Sequence, residues 1–218
     1  MDKLYISDTP AAVKNSKGLH LLTANTGNGQ AVQIFLEELA REYGFSWTTT
    51  LVDIWSNEQK KEYKEENFGF DDELENIELF QWLFFWHGSG APYQGQLIHF
   101  TKAAPEKIEY CGPLILIYIS LYAITRFKNE TLRVLGVLEI RLSGKYTGEP
   151  RDYLAGRGKG KYSIADIKTW PWISYWEMCG ITKQEMEAFP HLLNWIDRIA
   201  QRPAVQIGTG PKYIPDST

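Results

Sequence analysis

Few residues in this chain combine a reactive type with a spacing that suits chemistry, and the most distinctive pair is Ser163 and Asp166. A serine followed three residues later by an acidic residue is typical of a capping box. In that motif the two residues exchange side-chain-to-amide bonds, and the carboxylate lies at the positive end of a helix. We therefore predict that Ser163 and Asp166 begin a helix and that they serve folding rather than catalysis.

The remaining reactive side chains do not form a recognisable catalytic or metal-binding set. His87, His99 and His191 lack the spacing of metal ligands, so we expect no metal site. Ser-His-Asp and Cys-His arrangements are also missing from the sequence pattern. The two cysteines, Cys111 and Cys179, lie far apart without a paired motif, which favours buried free thiols in a reducing, cytoplasmic compartment.

Composition excludes several classes of partner. The 218 residues are 44% hydrophobic and 23% charged, a profile typical of soluble globular proteins. The formal net charge of −4 and the lack of a basic stripe argue against nucleic acid as a partner. The longest apolar run, residues 114–124, is shorter than the roughly 20 residues that a bilayer requires. We therefore expect no membrane association.

Hydrophobic periodicity predicts a small α/β unit near the N-terminus. Residues 19–23 form a short apolar strand pattern, residues 26–29 a turn, and residues 47–53 a second strand rich in β-branched residues. Between them, residues 30–43 have helical spacing, with Gly44 placed to end the helix. Its predicted buried face consists of Val32, Phe35, Leu36, Leu39, Ala40 and Tyr43. A strand, a helix and a strand in this order predict a parallel βαβ unit.

From residue 71 onward the pattern is almost entirely helical. We therefore predict two domains, an α/β domain at residues 18–69 and an all-helical domain at residues 70–206. Two strands alone do not make a stable domain, so either part of the first domain is missing or packing against other parts of the chain supplies the rest.

Several segments together resemble fungal glutathione S-transferases, and most closely the branch of the yeast nitrogen regulator and the bacterial disulfide reductases. The segments that carry the resemblance include Leu22–Gln30, Phe35–Leu39, Gln81–Phe85, Ser163–Trp172 and Arg202–Val205. They occur in the family's order and cover most of the chain. The resemblance implies a fold class of α/β plus all-α, in which a truncated thioredoxin-like domain precedes the transferase's C-terminal helical bundle.

The sequence departs from the family pattern in two places. Between Lys61 and Phe68 the family has a further strand pair and helix of about thirty residues or more, which carry a cis-proline loop and a Glu-Ser pair that hold glutathione. This chain has no proline between Pro10 and Pro92. The second departure is an apolar insert at Cys111–Ala123. We expect that a skipped exon and a retained intron in the gene model explain these differences, and the alternative is genuine divergence.

The resemblance also implies a glutathione site at Thr26-Gly27-Asn28-Gly29, which matches the family's Thr-Pro-Asn-Gly. Transferases of this family bind glutathione so that its thiol ionises, helped by a hydrogen-bond donor and a helix N-terminus. Asn28 is then the candidate catalytic donor, and Thr26 assists in binding. The alternative is that Asn28 merely caps the helix. Gly27 in place of proline loosens the turn.

Further positions are implied by the same resemblance. Gln59 matches a contact to the glycine end of glutathione, and Arg133 matches an arginine that reaches the glutathione carboxylates. The alternatives are a solvated residue in a charged run for Gln59 and an ordinary surface arginine for Arg133. The electrophile pocket corresponds to Trp86, His87, Tyr93 and Gln94, although core packing explains the aromatic residues equally well.

The resemblance implies glutathione as the co-substrate and a small electrophilic molecule as its partner. The expected reaction is conjugation of glutathione or reduction of a disulfide with it, in detoxification or fungal secondary metabolism, by a homodimer. The alternative is a non-catalytic binding or regulatory relative with a damaged glutathione site.

Overall fold

A computed structural model describes residues 18–51, 70, 72–103 and 113–214. By their contacts these residues group into two compact units. The first consists of the described residues up to Leu51 together with residues 202–214, and the second consists of the described residues from Phe70 to Gln201. Gln59 and Cys111 lie outside the described residues.

The first unit is built on a parallel pair of strands, β1 (His20–Thr23) and β2 (Thr48–Leu51). The register places His20 opposite Thr48 and Thr23 opposite Leu51. The imidazole of His20 spans the neighbouring strand, with Nδ1 2.6 Å from the Thr48 hydroxyl and Nε2 2.9 Å from the Thr50 hydroxyl. The predicted parallel βαβ unit is therefore confirmed.

Helix α1 (Gly27–Tyr43) connects the two strands. It ends at Gly44, which adopts a left-handed conformation with φ of 65° that glycine enters without steric cost. The predicted buried face is only partly right. Leu36 is buried as expected, but Tyr43 is exposed. The most deeply buried side of the helix also includes the polar residues Gln30, Gln33 and Glu37.

The C-terminal segment accounts for the burial of Glu37, because it covers α1 from a second side. Helix α8 (Pro203–Gly208) packs so closely on α1 that a Cβ added to Gly208 would lie 2.8 Å from the amide nitrogen of Ile34. Further along, the Glu37 carboxylate accepts hydrogen bonds from Lys212 Nζ at 2.5 Å and from the Tyr213 hydroxyl at 2.8 Å. By these contacts residues 202–206 belong with the first unit, whereas the sequence placed them in the helical domain.

Tyr213 completes a small apolar core in the first unit. It is buried together with Leu21 and Leu36, and these three residues are surrounded by partly buried apolar side chains. The surrounding residues are Val32, Phe35, Leu39, Trp47 and Leu51. A short 3₁₀ turn at Pro211–Tyr213 holds the ring in place. The C-terminal segment thus supplies part of the packing that two strands and one helix do not provide.

The regular elements of the second unit that the structure describes are helices and helical turns, and the loop before the fifth helix adds an isolated antiparallel bridge between Ala155 and Lys161. Helix α2 (Glu73–Phe85) leads through a π-helical turn at Trp86–Gly90 into α3 (Ala91–Ile98) and a second such turn at His99–Ala103. The long helix α4 (Pro113–Leu142) is followed by α5 (Ile164–Ile173), a 3₁₀ turn at Trp176–Cys179, α6 (Lys183–Met186) and α7 (Pro190–Ala200). Helix α3 packs on α4, α4 on α7, and α2 on α5.

The predicted capping box is present at the start of α5. Asp166 is fully buried, and its Oδ2 accepts from the amide of Ser163 at 3.0 Å and from the Ser163 hydroxyl at 3.1 Å. Its Oδ1 accepts from the amide of Leu154 at 3.0 Å and from Trp195 Nε1 at 2.9 Å. One carboxylate therefore joins α5, α7 and the loop before α5.

Burial and hydrogen bonding act in opposite directions on Asp166. Removal from water raises the pKa of its carboxyl to about 6, while the bonds from Trp195, Leu154 and Ser163 partly offset this rise.

No helix in the part of the chain that the structure describes has both the length and the apolar character needed to cross a membrane.

Candidate functional site

The N-terminal end of α1 is the candidate site in the first unit. Thr26 is the N-cap residue, and its hydroxyl accepts a hydrogen bond from the amide of Gly29 at 3.1 Å. The first turn carries no acidic residue, so no carboxylate of this turn neutralises the partial positive charge of the helix end. Asn28 is exposed in this first turn. The arrangement suits an anionic ligand atom that accepts hydrogen bonds.

A close backbone approach shapes the turn between β1 and α1. A Cβ added to Gly29 would lie 2.0 Å from the carbonyl oxygen of Ala24 and 2.8 Å from the hydroxyl oxygen of Thr23. Only glycine permits this contact without a shift of the backbone. The same Ala24 carbonyl accepts a hydrogen bond from the amide of Thr26 at 2.8 Å. The end of β1 and the first turn of α1 are therefore packed as one rigid piece.

The structure brings two of the predicted site residues together. Thr26 and Asn28 occupy the same helix start, with Thr26 as the cap and Asn28 in the first turn. The alternative prediction that Asn28 itself is the cap is thereby excluded, because Thr26 takes that role. Gln59 lies outside the described residues, so its predicted contact with glutathione remains a prediction.

Arg133 lies on α4 in the second unit, and its side chain is 56% exposed. Its guanidinium contacts the Glu130 carboxylate on the same helix, with Nε 2.9 Å from Oε1 and Nη2 2.7 Å from the same atom. The hydrogen bond from Arg133 holds the pKa of Glu130 below its ordinary value. Arg133 is thus an exposed arginine in an ion pair, and a role in binding remains a prediction.

The four residues predicted to line an electrophile pocket have different environments. Trp86 is fully buried, and Gln94 is buried with its Nε2 donating to the backbone carbonyl of Trp172 at 2.6 Å. Tyr93 is half-buried and its ring centroid lies 6.3 Å from that of Phe127. His87 is exposed. Trp86 and Gln94 therefore belong to the core of the helical unit.

The described residues give little support for a metal site or for a cysteine nucleophile. No group of three or more His, Cys, Asp or Glu side chains in the described ranges could hold a metal ion. Cys179 is buried, and burial raises the pKa of its thiol, which makes it a poor nucleophile at neutral pH.

Gln33 is the residue at this site that the sequence did not indicate. It is fully buried on α1, and its Nε2 donates to the Thr23 hydroxyl at 3.0 Å. The available signal was a polar residue between Val32 and Ile34, next to a predicted apolar face. That signal is weak, because polar residues beside an apolar stripe usually face solvent.

Comparison with known proteins shows which protein family this chain resembles. Residues 125–203 match the model of the C-terminal domain of glutathione S-transferases. The chain is 37% identical over 132 residues to the disulfide-bond oxidoreductase YfcG of Escherichia coli, a match that covers 60% of this chain and 49% of that protein. It is also 37% identical over 134 residues to the glutathione S-transferase-like protein tpcF of Aspergillus fumigatus, covering 59% of this chain and 52% of the relative.

Residues 125–203 therefore carry a glutathione S-transferase C-terminal domain. The chain spans about half the length of both relatives. A glutathione transferase homologue from Lodderomyces elongisporus, solved with two glutathione molecules per subunit, matches with a TM-score of 0.68 and 25% identity. That match covers 88% of this chain and 98% of the other. The predicted family, including its bacterial disulfide-reductase branch, and the predicted transferase fold class are confirmed.

Proposed function

We propose that this chain, which carries a glutathione S-transferase C-terminal domain, binds glutathione with its sulfur at the N-terminal end of α1. The observation that carries the proposal is the start of that helix, with a hydroxyl cap at Thr26, an exposed Asn28 and no acidic residue in the first turn. Partial positive charge and a neighbouring amide donor favour a thiolate over a thiol. The homologue solved with glutathione supports the choice of ligand.

The proposed activity is transfer of the glutathione sulfur to a small electrophile. The thiol proton leaves to solvent, the sulfur forms a bond to the electrophilic carbon, and the leaving group departs with its bonding electron pair. With a disulfide as the substrate, the sulfur forms a mixed disulfide and releases one substrate thiolate. A second glutathione thiolate then attacks the glutathione sulfur of the mixed disulfide, which releases the other substrate thiolate and leaves glutathione disulfide as the oxidised product. The relative named as a disulfide-bond oxidoreductase supports the second form. A cytoplasmic location and a role in detoxification or secondary metabolism are further parts of this proposal.

Calorimetry with glutathione and S-methylglutathione tests the sulfur site directly. In the wild-type protein glutathione should bind more tightly, because only its sulfur ionises. The substitution Asn28→Ala should weaken glutathione binding about tenfold or more while changing S-methylglutathione binding far less, since a bond to a charged atom is lost. Asn129→Ala, at an exposed asparagine on α4, is the matched control and should leave both affinities unchanged. Equal losses for both ligands would contradict the proposed role of Asn28.

Gln59 and Arg133 remain proposed contacts to the ends of glutathione. Arg133 already forms an ion pair with Glu130, and binding of glutathione would break or share that pair. The free energy lost from the pair should offset part of the free energy that the contact with glutathione contributes. We expect Arg133→Gln to weaken glutathione binding by less than about fivefold, well below the effect at Asn28. Unchanged affinity would assign Arg133 to the protein surface alone.

One observation favours a non-catalytic binding protein as the second candidate. The chain has no proline between Pro10 and Pro92, where the family resemblance implies a cis-proline loop that pairs with glutathione. A chain without that loop would bind glutathione weakly or in a form that does not react. Glutathione binding without turnover of any tested electrophile or disulfide would favour this candidate over the enzyme.

We also propose that the chain forms a homodimer through α2. One face of that helix exposes four apolar side chains, Leu74, Ile77, Phe80 and Phe84, and the last two lie with ring centroids 6.5 Å apart. Sedimentation of wild-type protein should show a dimer that Phe84→Lys disrupts. Tyr146→Lys, at an aromatic residue that is even more exposed, is the control and should not alter the assembly. A monomeric wild-type protein would exclude the proposal.

A further inference from the structure

Gln33 connects the second turn of α1 to the end of β1. Its side chain has no exposed surface, and Nε2 lies 3.0 Å from the Thr23 hydroxyl and 3.4 Å from the Ala24 carbonyl oxygen. Since a carbonyl oxygen only accepts hydrogen bonds, the nitrogen of the amide must be the atom that faces Ala24. The side chain therefore joins two consecutive residues at the point where the strand ends.

The Ala24 carbonyl is the atom through which this bond reaches the candidate site. It accepts from the amide of Thr26 at 2.8 Å and lies against Gly29, where a Cβ would be only 2.0 Å away. Thr26 and Gly29 flank Asn28 on both sides. Any displacement of the Ala24 carbonyl therefore moves the residues that hold Asn28 at the helix start.

The Gln33 amide has one end bonded to the turn and one end without a described partner, which argues that its contribution is geometric. Its Oε1 is buried, and no described residue donates a hydrogen bond to it. A buried acceptor without a partner is destabilising, whereas methionine would fill a similar volume without that cost. What the glutamine adds over an apolar residue is the directed bond to Thr23 and Ala24.

We propose that Gln33 is a positioning residue, which holds the turn between β1 and α1 so that Asn28 and the first helical amides face the glutathione sulfur. The inference rests on the proposed function, because it assigns the role of Gln33 through the sulfur site. Gln33 does not touch the sulfur and acts through Thr23 and Ala24, which contact Thr26 and Gly29.

The first test measures the ionisation of bound glutathione from the ultraviolet absorbance of its thiolate as a function of pH. In Gln33→Met the pKa of the bound thiol should rise by about one unit, and glutathione binding at neutral pH should weaken about fivefold to tenfold. Thr131→Val removes another buried side-chain hydrogen bond, from Thr131 to the Phe127 carbonyl on α4, and is the control. A purely structural role for Gln33 would lower the melting temperature in both variants and leave the thiol pKa unchanged in both.

A double-mutant cycle tests whether the effect passes through Thr23. Thr23→Val removes the hydroxyl that accepts from Gln33 and nearly preserves the shape of the side chain. If the bond carries the effect, the double variant should bind glutathione as weakly as Gln33→Met alone, rather than showing the product of the two losses. If the double variant instead lost glutathione affinity by the product of the two single losses, the proposed coupling between Gln33 and Thr23 would be wrong.

A measurement without ligand separates this inference from the proposed function. Amide hydrogen exchange at Thr26 should be about tenfold faster in Gln33→Met than in the wild-type protein, because the Ala24 carbonyl that it bonds is no longer held. Unchanged exchange would overturn the positioning role whether or not glutathione binds. If wild-type protein fails to bind glutathione while exchange still responds, the proposed function fails and Gln33 is shown to hold the turn alone.

Discussion

Two helix N-termini in this chain use their positive ends in opposite ways. At α5 the chain supplies its own anion, since Asp166 is fully buried and accepts four hydrogen bonds. At α1 the cap is the neutral hydroxyl of Thr26, the first turn has no acidic residue, and Asn28 is exposed. At α5 the positive end of the helix dipole interacts with a carboxylate of the chain itself, whereas at α1 no carboxylate of the first turn does so.

The difference shows how a folding site and a candidate binding site are told apart. A helix end that is filled by the chain's own carboxylate contributes to stability and offers nothing to a ligand. A helix end with a neutral cap contributes less to stability but retains its attraction for an anion. Substitutions at α5 should therefore change unfolding, and substitutions at α1 should change binding.

The largest expected effect is loss of stability on Asp166→Ala. The substitution leaves buried donors on Ser163, Leu154 and Trp195 without their acceptor, so the free energy of unfolding should fall by roughly 4 kcal/mol. Chemical denaturation checks this value. Thr26→Ala, the equivalent change at α1, should cost only about 1 kcal/mol. Equal losses at the two helices would contradict the distinction between them.

A smaller effect is expected in the pH dependence of stability. Because the folded pKa of Asp166, about 6, is above its ordinary value of 3.8, the folded state favours the protonated form. This contribution is fully present below the unfolded pKa and is lost as pH rises through about 6. The stability advantage of wild-type protein over Asp166→Asn should therefore shrink by at most about 3 kcal/mol between roughly pH 4 and pH 7. A constant difference between the two proteins would contradict the assigned pKa.

The smallest effect is a gain at α1 from Gly27→Pro. Gly27 is the first residue of the helix, where proline is well tolerated, and Thr26 already has the extended backbone, with ψ of 162°, that a following proline requires. Stability should rise by about 0.5–1 kcal/mol through a less flexible unfolded chain. Glutathione binding should tighten at the same time if α1 is the binding site. A higher free energy of unfolding without tighter glutathione binding would indicate that the glutathione sulfur does not bind at this turn.

The parts of this protein that the sequence determined are those whose causes are local. The capping box at Ser163 and Asp166, the cap at Gly44 and the βαβ order depend on residues a few positions apart. Short-range hydrogen bonds and side-chain periodicity therefore predict them. The start of α1 was placed less well, because the sequence predicted a turn over residues 26–29, whereas the helix already begins at Gly27 with Thr26 as its cap.

The tertiary structure alone decided which side of α1 is buried and what surrounds Asp166. Glu37 is buried because Lys212 and Tyr213 bond to it, although they lie more than a hundred residues away in the chain. Trp195 bonds to Asp166 only because α7 packs near α5. Partners of this kind depend on close packing between distant segments, which no local pattern records. Gln33 belongs to the same class, since its neighbours on the helix do not reveal that the end of β1 lies against it.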